Sequence, residues 1–143
     1  MSRPTNTQFA LGVHLLTLLA GAPGEVLSSE VLAGSAASNP VHARRLLGRL
    51  RAAGLVDSRP GVRGGWQLLH APEDVTLADV WRAVQGDDPV LGLHGANPDC
   101  AVGRRIQEAL VLVDRRAAHA LEDELDTTTL GNLVRETANG ARS

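Results

Sequence analysis

Residues 38–69, SNPVHARRLLGRLRAAGLVDSRPGVRGGWQLL, leave this chain little freedom in how it folds. Asn39 is a favoured helix N-cap, and Pro40 suits the first helical position, where its missing N–H costs nothing. Gly54 stops the helix after Ala53. Two short strand-like runs follow, Leu55–Arg59 and Trp66–Leu69, around the tip PGVRGG, which reads as a hairpin. Helical periodicity then sorts the side chains. Ala43, Leu46, Leu47, Leu50 and Ala53 share one face, which must be buried. Val41, Arg44, Arg45, Gly48 and Ala52 share the opposite face, with Arg49 and Arg51 at its edges.

The flanking sequence supplies the context for that helix and hairpin. Thr5–Ala20 reads as a first helix capped by Thr5 or Asn6 and ended by GAPG. Its rows Phe9, Val13, Leu16 and Leu11, Leu15, Leu18 point inward. Ser28 caps a short second helix from Ser29 to about Ala36. Thr76 caps another over Leu77–Gln85, and a loop follows. Cys100–Leu125 is a long amphipathic helix, a rod about 39 Å long. Its apolar stripe runs through Val102, Ile106, Ala109, Leu110, Val113, Ala117, Leu121 and Leu125. A last short helix is capped at Asp126 or Thr127.

Three short helices and then a hairpin is the order of a winged helix-turn-helix. The fold class expected is therefore mainly α with a small β-hairpin wing, plus a long C-terminal dimerisation helix. Residues 1–86 form the DNA-binding unit in this reading, and residues 87–143 hold the loop, the long helix and the short last one. The long helix outreaches a winged domain, so a second copy is expected to cover its stripe, helped by the first helix and by Leu130, Leu133 and Val134.

Charge says what the helix and hairpin are for. The chain has 143 residues and a formal net charge of -2, and all 14 of its basic residues are arginine. Residues 39–66 nonetheless carry six Arg against one Asp, while residues 67–143 carry seven Arg against thirteen Asp and Glu. A basic patch of that kind draws polyanions whatever the total charge. Gly48 costs a helix about 1 kcal/mol relative to Ala, so its place mid-helix fits a surface that something approaches closely. A duplex groove suits this face, because small residues allow depth and arginines reach bases or phosphates. Aromatics are confined to Phe9, Trp66 and Trp81, which leaves no platform for stacking single-stranded bases. The candidate DNA-binding residues are Asn39, Val41, Arg44, Arg45, Gly48 and Arg49 on the helix, with Arg59, Arg63 and Gly64 in the wing.

The segments LGRLRAAGLVDSR, GGWQL and PEDVTLADVWRAVQG resemble the Rrf2 family of bacterial winged-helix transcriptional regulators, which includes iron–sulfur and nitric-oxide sensors. The likeness covers nearly the whole chain. It implies a homodimeric repressor of transcription, a recognition helix from Asn39 and a wing from Arg59 to Trp66. Pro60 stands where the family usually has a minor-groove arginine, so either Arg59 or Arg63 takes that place here. Cluster-binding members set three cysteines between the wing helix and the long helix, whereas VLGLHGANPDCAVGRR supplies Cys100 alone. That composition is similar to the cysteine-poor branch, with no cofactor expected and an effector the sequence does not name.

Other functions have less to stand on. The chain has none of the G-x-S-x-G, P-loop, H-E-x-x-H or C-x-x-C motifs, and GVRGG is too short for a dinucleotide fingerprint, so no enzyme is expected. One cysteine excludes an internal disulfide and favours the cytoplasm. Arg3 and the run FALGVHLLTLLAGA imitate a secretory signal, but His14 interrupts the run and a buried helix explains it as well. No stretch has the length of a membrane span. Cys100 beside Arg104 is a candidate redox thiol, weighed against a small residue that fills a dimer contact. His94, Asp99 and Cys100 lack a defined ligand spacing, so no metal site is assigned. Two alternatives stay open at this point: a winged helix that binds protein rather than DNA, and a thiol- or metal-responsive regulator using Cys100.

Overall fold

Helix caps and breakers set the element boundaries in the structure, a computed structural model that describes residues 7–140. The proposed caps Thr5 and Asn6, and Arg3, lie outside the described residues. The elements are α1 (Thr7–Ala20), α2 (Ser29–Ser35), α3 (Pro40–Ala52), β1 (Val56–Arg59), β2 (Gly65–Leu68), α4 (Leu77–Gln85), α5 (Ala101–Leu125) and α6 (Leu130–Gly140). The fold is the winged helix-turn-helix with a long C-terminal helix that the sequence implied. A single 3-10 turn, Pro72–Asp74, lies where the sequence suggested plain loop.

Local chemistry accounts for most of these boundaries. The Asn39 side chain accepts from the Val41 N–H at 2.8 Å, and the Ser28 hydroxyl accepts from Val31 at 3.1 Å. Thr76 and Asp79 form a reciprocal capping box at the start of α4. The turn between α2 and α3 holds Ala37 at φ 50°, where the Ser38 N–H donates to the Ala33 carbonyl. An L-residue in that region costs on the order of 1 kcal/mol, which the surrounding contacts must offset.

Leu15, Leu16, Leu32, Leu47, Leu50, Val56 and Val80 are fully buried at the centre of the core. Phe9 meets Trp81 edge-on, with ring centroids 5.4 Å apart. Leu130 also lies in this core, because α6 returns to α1 and the 3-10 turn. The expected help of Leu130 at a dimer contact is therefore corrected: its side chain is already used within its own chain. Ala53 is corrected too, since it is exposed as the α3 C-cap rather than part of the buried face.

Two long-range backbone bridges complete the frame. Leu27 and Trp66 exchange hydrogen bonds of 3.0 and 2.8 Å, and a second bridge joins Thr76 to Thr129. The last helix starts later than the sequence reading placed it. Thr129 caps α6, its hydroxyl accepting from the Asn132 N–H at 3.1 Å, whereas the sequence reading put the cap at Asp126 or Thr127. Those two residues instead close α5, donating to Glu122 and Glu124 carbonyls.

The long helix is unlike the rest. Its 25 residues, about 38 Å of rod, include no buried side chain. Leu110, Ala117, Leu121 and Leu125 are half-buried, and α4 is the helix that α5 packs on. The Leu91 N–H donates to Asp114 at 2.6 Å, pinning the preceding loop along α5. Val102, Ile106 and Val113 remain 65%, 50% and 38% exposed.

Candidate nucleic-acid interface

The α3 face opposite the core is exposed at Val41, Arg44, Arg45, Arg49 and Ala52, with Gly48 half-exposed along its centre. A Cβ added at Gly48 would meet nothing within 4 Å, so no packing within the chain explains the glycine. Gly48→Ala is therefore expected to stabilise the free protein by about 1 kcal/mol through helix propensity. If a duplex lies against this face, the same change weakens its binding. Thermal melts paired with binding titrations check both halves, and unchanged DNA affinity would rule out close approach at Gly48.

The wing pairs Val56 with Leu68, Asp57 with Gln67, Ser58 with Trp66 and Arg59 with Gly65. Each strand sits about one residue from its expected boundary, within the usual fraying of strand ends. The wing is held against α2 by the Leu27–Trp66 bridge and by the Trp66 indole N–H, which donates to the Ser29 hydroxyl at 3.0 Å. Between wing and helices lies an open groove lined by Ser28, Glu30, Arg44, Arg59, Gly64 and Trp66. The structure thus brings Arg44, Arg59 and Gly64 to one groove, with Arg63 exposed at the wing tip.

The arginines divide by what they touch. Arg49 donates to Gln8 of α1 at 3.0 Å, and Arg51 donates to Ser58 of β1 at 3.0 Å. Both brace the domain. The side chains of Arg44, Arg45, Arg59 and Arg63 have no hydrogen-bond or ion-pair partner among the described residues. The ion pairs Arg82–Asp79, Arg82–Glu122 and Arg135–Glu73 all lie in the acidic half of the chain. Asn39 spends its carbonyl oxygen on the helix cap, which leaves its amide N–H groups for a ligand. Gly64 is required by the hairpin itself, since an added Cβ would lie 2.1 Å from the Arg59 carbonyl oxygen.

Sequence reasoning missed Ser28, Ser29, Glu30 and Trp66 as walls of this groove. Nothing local marks them, because they meet only when the wing closes on α2.

The family model for Rrf2, described as an iron-dependent transcriptional regulator, matches residues 5–136. The chain belongs to the Rrf2 family. It is 36% identical over 130 residues to YwnA of Bacillus subtilis, which is classed with HTH-type transcriptional regulators, covering 90% of this chain and 96% of that one. To the HTH-type transcriptional regulator NsrR of the same organism it is 29% identical, over 90% of this chain and 87% of the relative. The solved structure of CymR, the global cysteine regulator of B. subtilis, superposes with a TM-score of 0.67 at 26% identity, covering 95% of this chain and 98% of CymR. These Rrf2 relatives are transcriptional regulators, and the fold match includes the long C-terminal helix.

The Rrf2 family description raises iron, and the donor set here does not fit it. Cys100, the chain's one cysteine, is exposed and caps α5, its Sγ accepting from the Gly103 N–H at 3.3 Å. An iron–sulfur cluster takes several cysteine ligands, with histidine as the usual substitute. Among the described residues, no group of three His, Cys, Asp or Glu side chains is placed to hold a metal. Arg104 turns to the Pro98 carbonyl rather than to the thiol. No described helix is long and apolar enough to cross a membrane.

Proposed function

We propose that this chain binds double-stranded DNA sequence-specifically, with α3 in the major groove and the wing on the flanking backbone. One observation carries the reading. Four arginines without partners, Arg44, Arg45, Arg59 and Arg63, stand on one helix face and its adjoining wing in a chain of net charge -2. Left unpaired in solution, they are matched by phosphates and by the acceptor edges of bases. The roles assigned to Asn39, Val41, Gly48, Arg49 and Gly64 belong to the same docking, with Arg49 and Gly64 acting mainly as supports. The exposed stripe on α5 supports a homodimer, and the family resemblance supports a repressor that acts in the cytoplasm.

The test uses a duplex selected by this protein from random DNA. Arg45→Ala is expected to cost about 1–3 kcal/mol and to relax preference at one base position. Arg63→Ala weakens binding evenly across sequences and lowers the salt slope by about one. Two variants that both bind like wild type at moderate salt would overturn the docking. A winged helix that contacts only protein predicts no steep loss of DNA retention as salt rises.

A further inference from the structure

The DNA-facing side of α3 is unusual in what it lacks. Its exposed side chains are Val41, Arg44, Arg45, Arg49 and Ala52, which offer hydrogen-bond donors and apolar groups but no acceptor, while the exposed His42 lines a separate groove with α1 and the turn before α3. The Asn39 oxygen is taken by the cap. Glu30 of α2 lines the wing groove, which Arg44 also borders, and not the stretch of α3 that carries Val41. Val41, Arg44 and Arg45, the side chains along its N-terminal half, cannot accept from adenine N6 or cytosine N4. In the major groove they can donate to guanine O6 and N7, and they can pack on a thymine methyl.

Val41 is the side chain placed for that methyl. It sits in the first turn of α3, 55% exposed, with Arg44 and Arg45 three and four residues later on the same side. Residues at the start of a recognition helix are those that reach base edges. The cap bond at its own N–H holds its backbone, and a β-branched side chain in a helix has one strongly preferred rotamer. Its two methyls are thus presented in a fixed direction. Four residues of helix rise about 6 Å, so a base under Val41 and one under Arg45 are about two base pairs apart or fewer.

We propose that Val41 reads the 5-methyl group of a thymine in each half-site, beside a guanine read by Arg45. This rests on the DNA-binding reading above and adds the base type. The experiment replaces each thymine of the selected duplex, one position at a time, by deoxyuridine, which removes the methyl and nothing else. Wild-type protein is expected to lose affinity about fourfold at one position per half-site, and about fifteenfold when both halves are changed. Val41→Ser, at an exposed position, should keep the wild-type melting temperature. It should bind the thymine duplex more weakly and no longer distinguish it from the deoxyuridine duplex. Wild-type binding that ignores every deoxyuridine overturns the assignment while leaving DNA binding intact. So does a Val41→Ser protein that still loses affinity at the same position, since another group would then be reading the methyl. Failure of wild-type protein to select any duplex would instead remove the reading on which the proposal rests.

Discussion

Val113→Asp is expected to sediment as a monomer at micromolar concentration and to lose high-affinity operator binding, with its secondary structure intact. Val102, Ile106, Ala109 and Val113 follow one another at spacings of four, three and four, which keeps them in one stripe along α5. None is buried by its own chain, and Val113 is 38% exposed in the middle of the rod. In the proposed homodimer, a second copy related by a two-fold axis would place the same stripe against itself and cover it. With the apolar stripe facing itself, a carboxylate there is buried among apolar side chains, and an unpaired buried charge costs about 3–5 kcal/mol. Two-fold symmetry introduces it twice. The dimer should therefore weaken by at least about a hundredfold. Operator binding should fall with it, since a monomer engages one half-site and loses the effective concentration that the other provides. Circular dichroism and a thermal melt establish that the variant is folded. Wild-type protein that is monomeric at micromolar concentration would contradict the dimer, as would a Val113→Asp protein that dimerises normally.

Gly65→Ala is expected to lower stability by roughly 2–4 kcal/mol and to displace the wing. Gly65 has φ 155°, and an added Cβ would lie 2.4 Å from the Leu27 carbonyl oxygen and 2.6 Å from its carbon. Both atoms are backbone and cannot swing aside. Relief requires the Leu27–Trp66 bridge to open, which removes two backbone hydrogen bonds and pulls the Trp66 indole from Ser29. For a chain of this size the loss corresponds to a melting-point drop of roughly 6–16 °C. DNA affinity should fall as well, because Arg59 pairs directly with Gly65 across the hairpin. Gly34→Ala is the control: it lies in a helix, and its Cβ would meet nothing within 4 Å. A Gly65→Ala protein that melts with wild type and the control would show that the wing is not held by this contact.

Much of the molecule was legible in the residues because its signals are local. The Asn39–Pro40 start of α3, the Ser28 cap and the Thr76 cap each depend on a hydrogen bond to a residue two or three positions on. The division of α3 into a leucine face and an arginine face follows from helical period alone, and both faces are found as read except at Ala53. The basic segment is visible by counting charges. The amphipathic character of α5 is equally a matter of spacing.

Tertiary structure decided what depends on segments far apart in the chain meeting. Trp66 reaches Ser29 across 37 residues and Arg49 reaches Gln8 across 41, and no pattern within either segment encodes the pairing. The same holds for Leu130, which lies next to the Thr76–Thr129 bridge and is buried in the core. Sequence marked six arginines as one basic group. Folding sorted them, engaging Arg49 and Arg51 with side chains of neighbouring elements and leaving Arg44, Arg45, Arg59 and Arg63 without partners within the described chain. Charge is a property of the residue, but whether that charge is already satisfied depends on which element packs beside it.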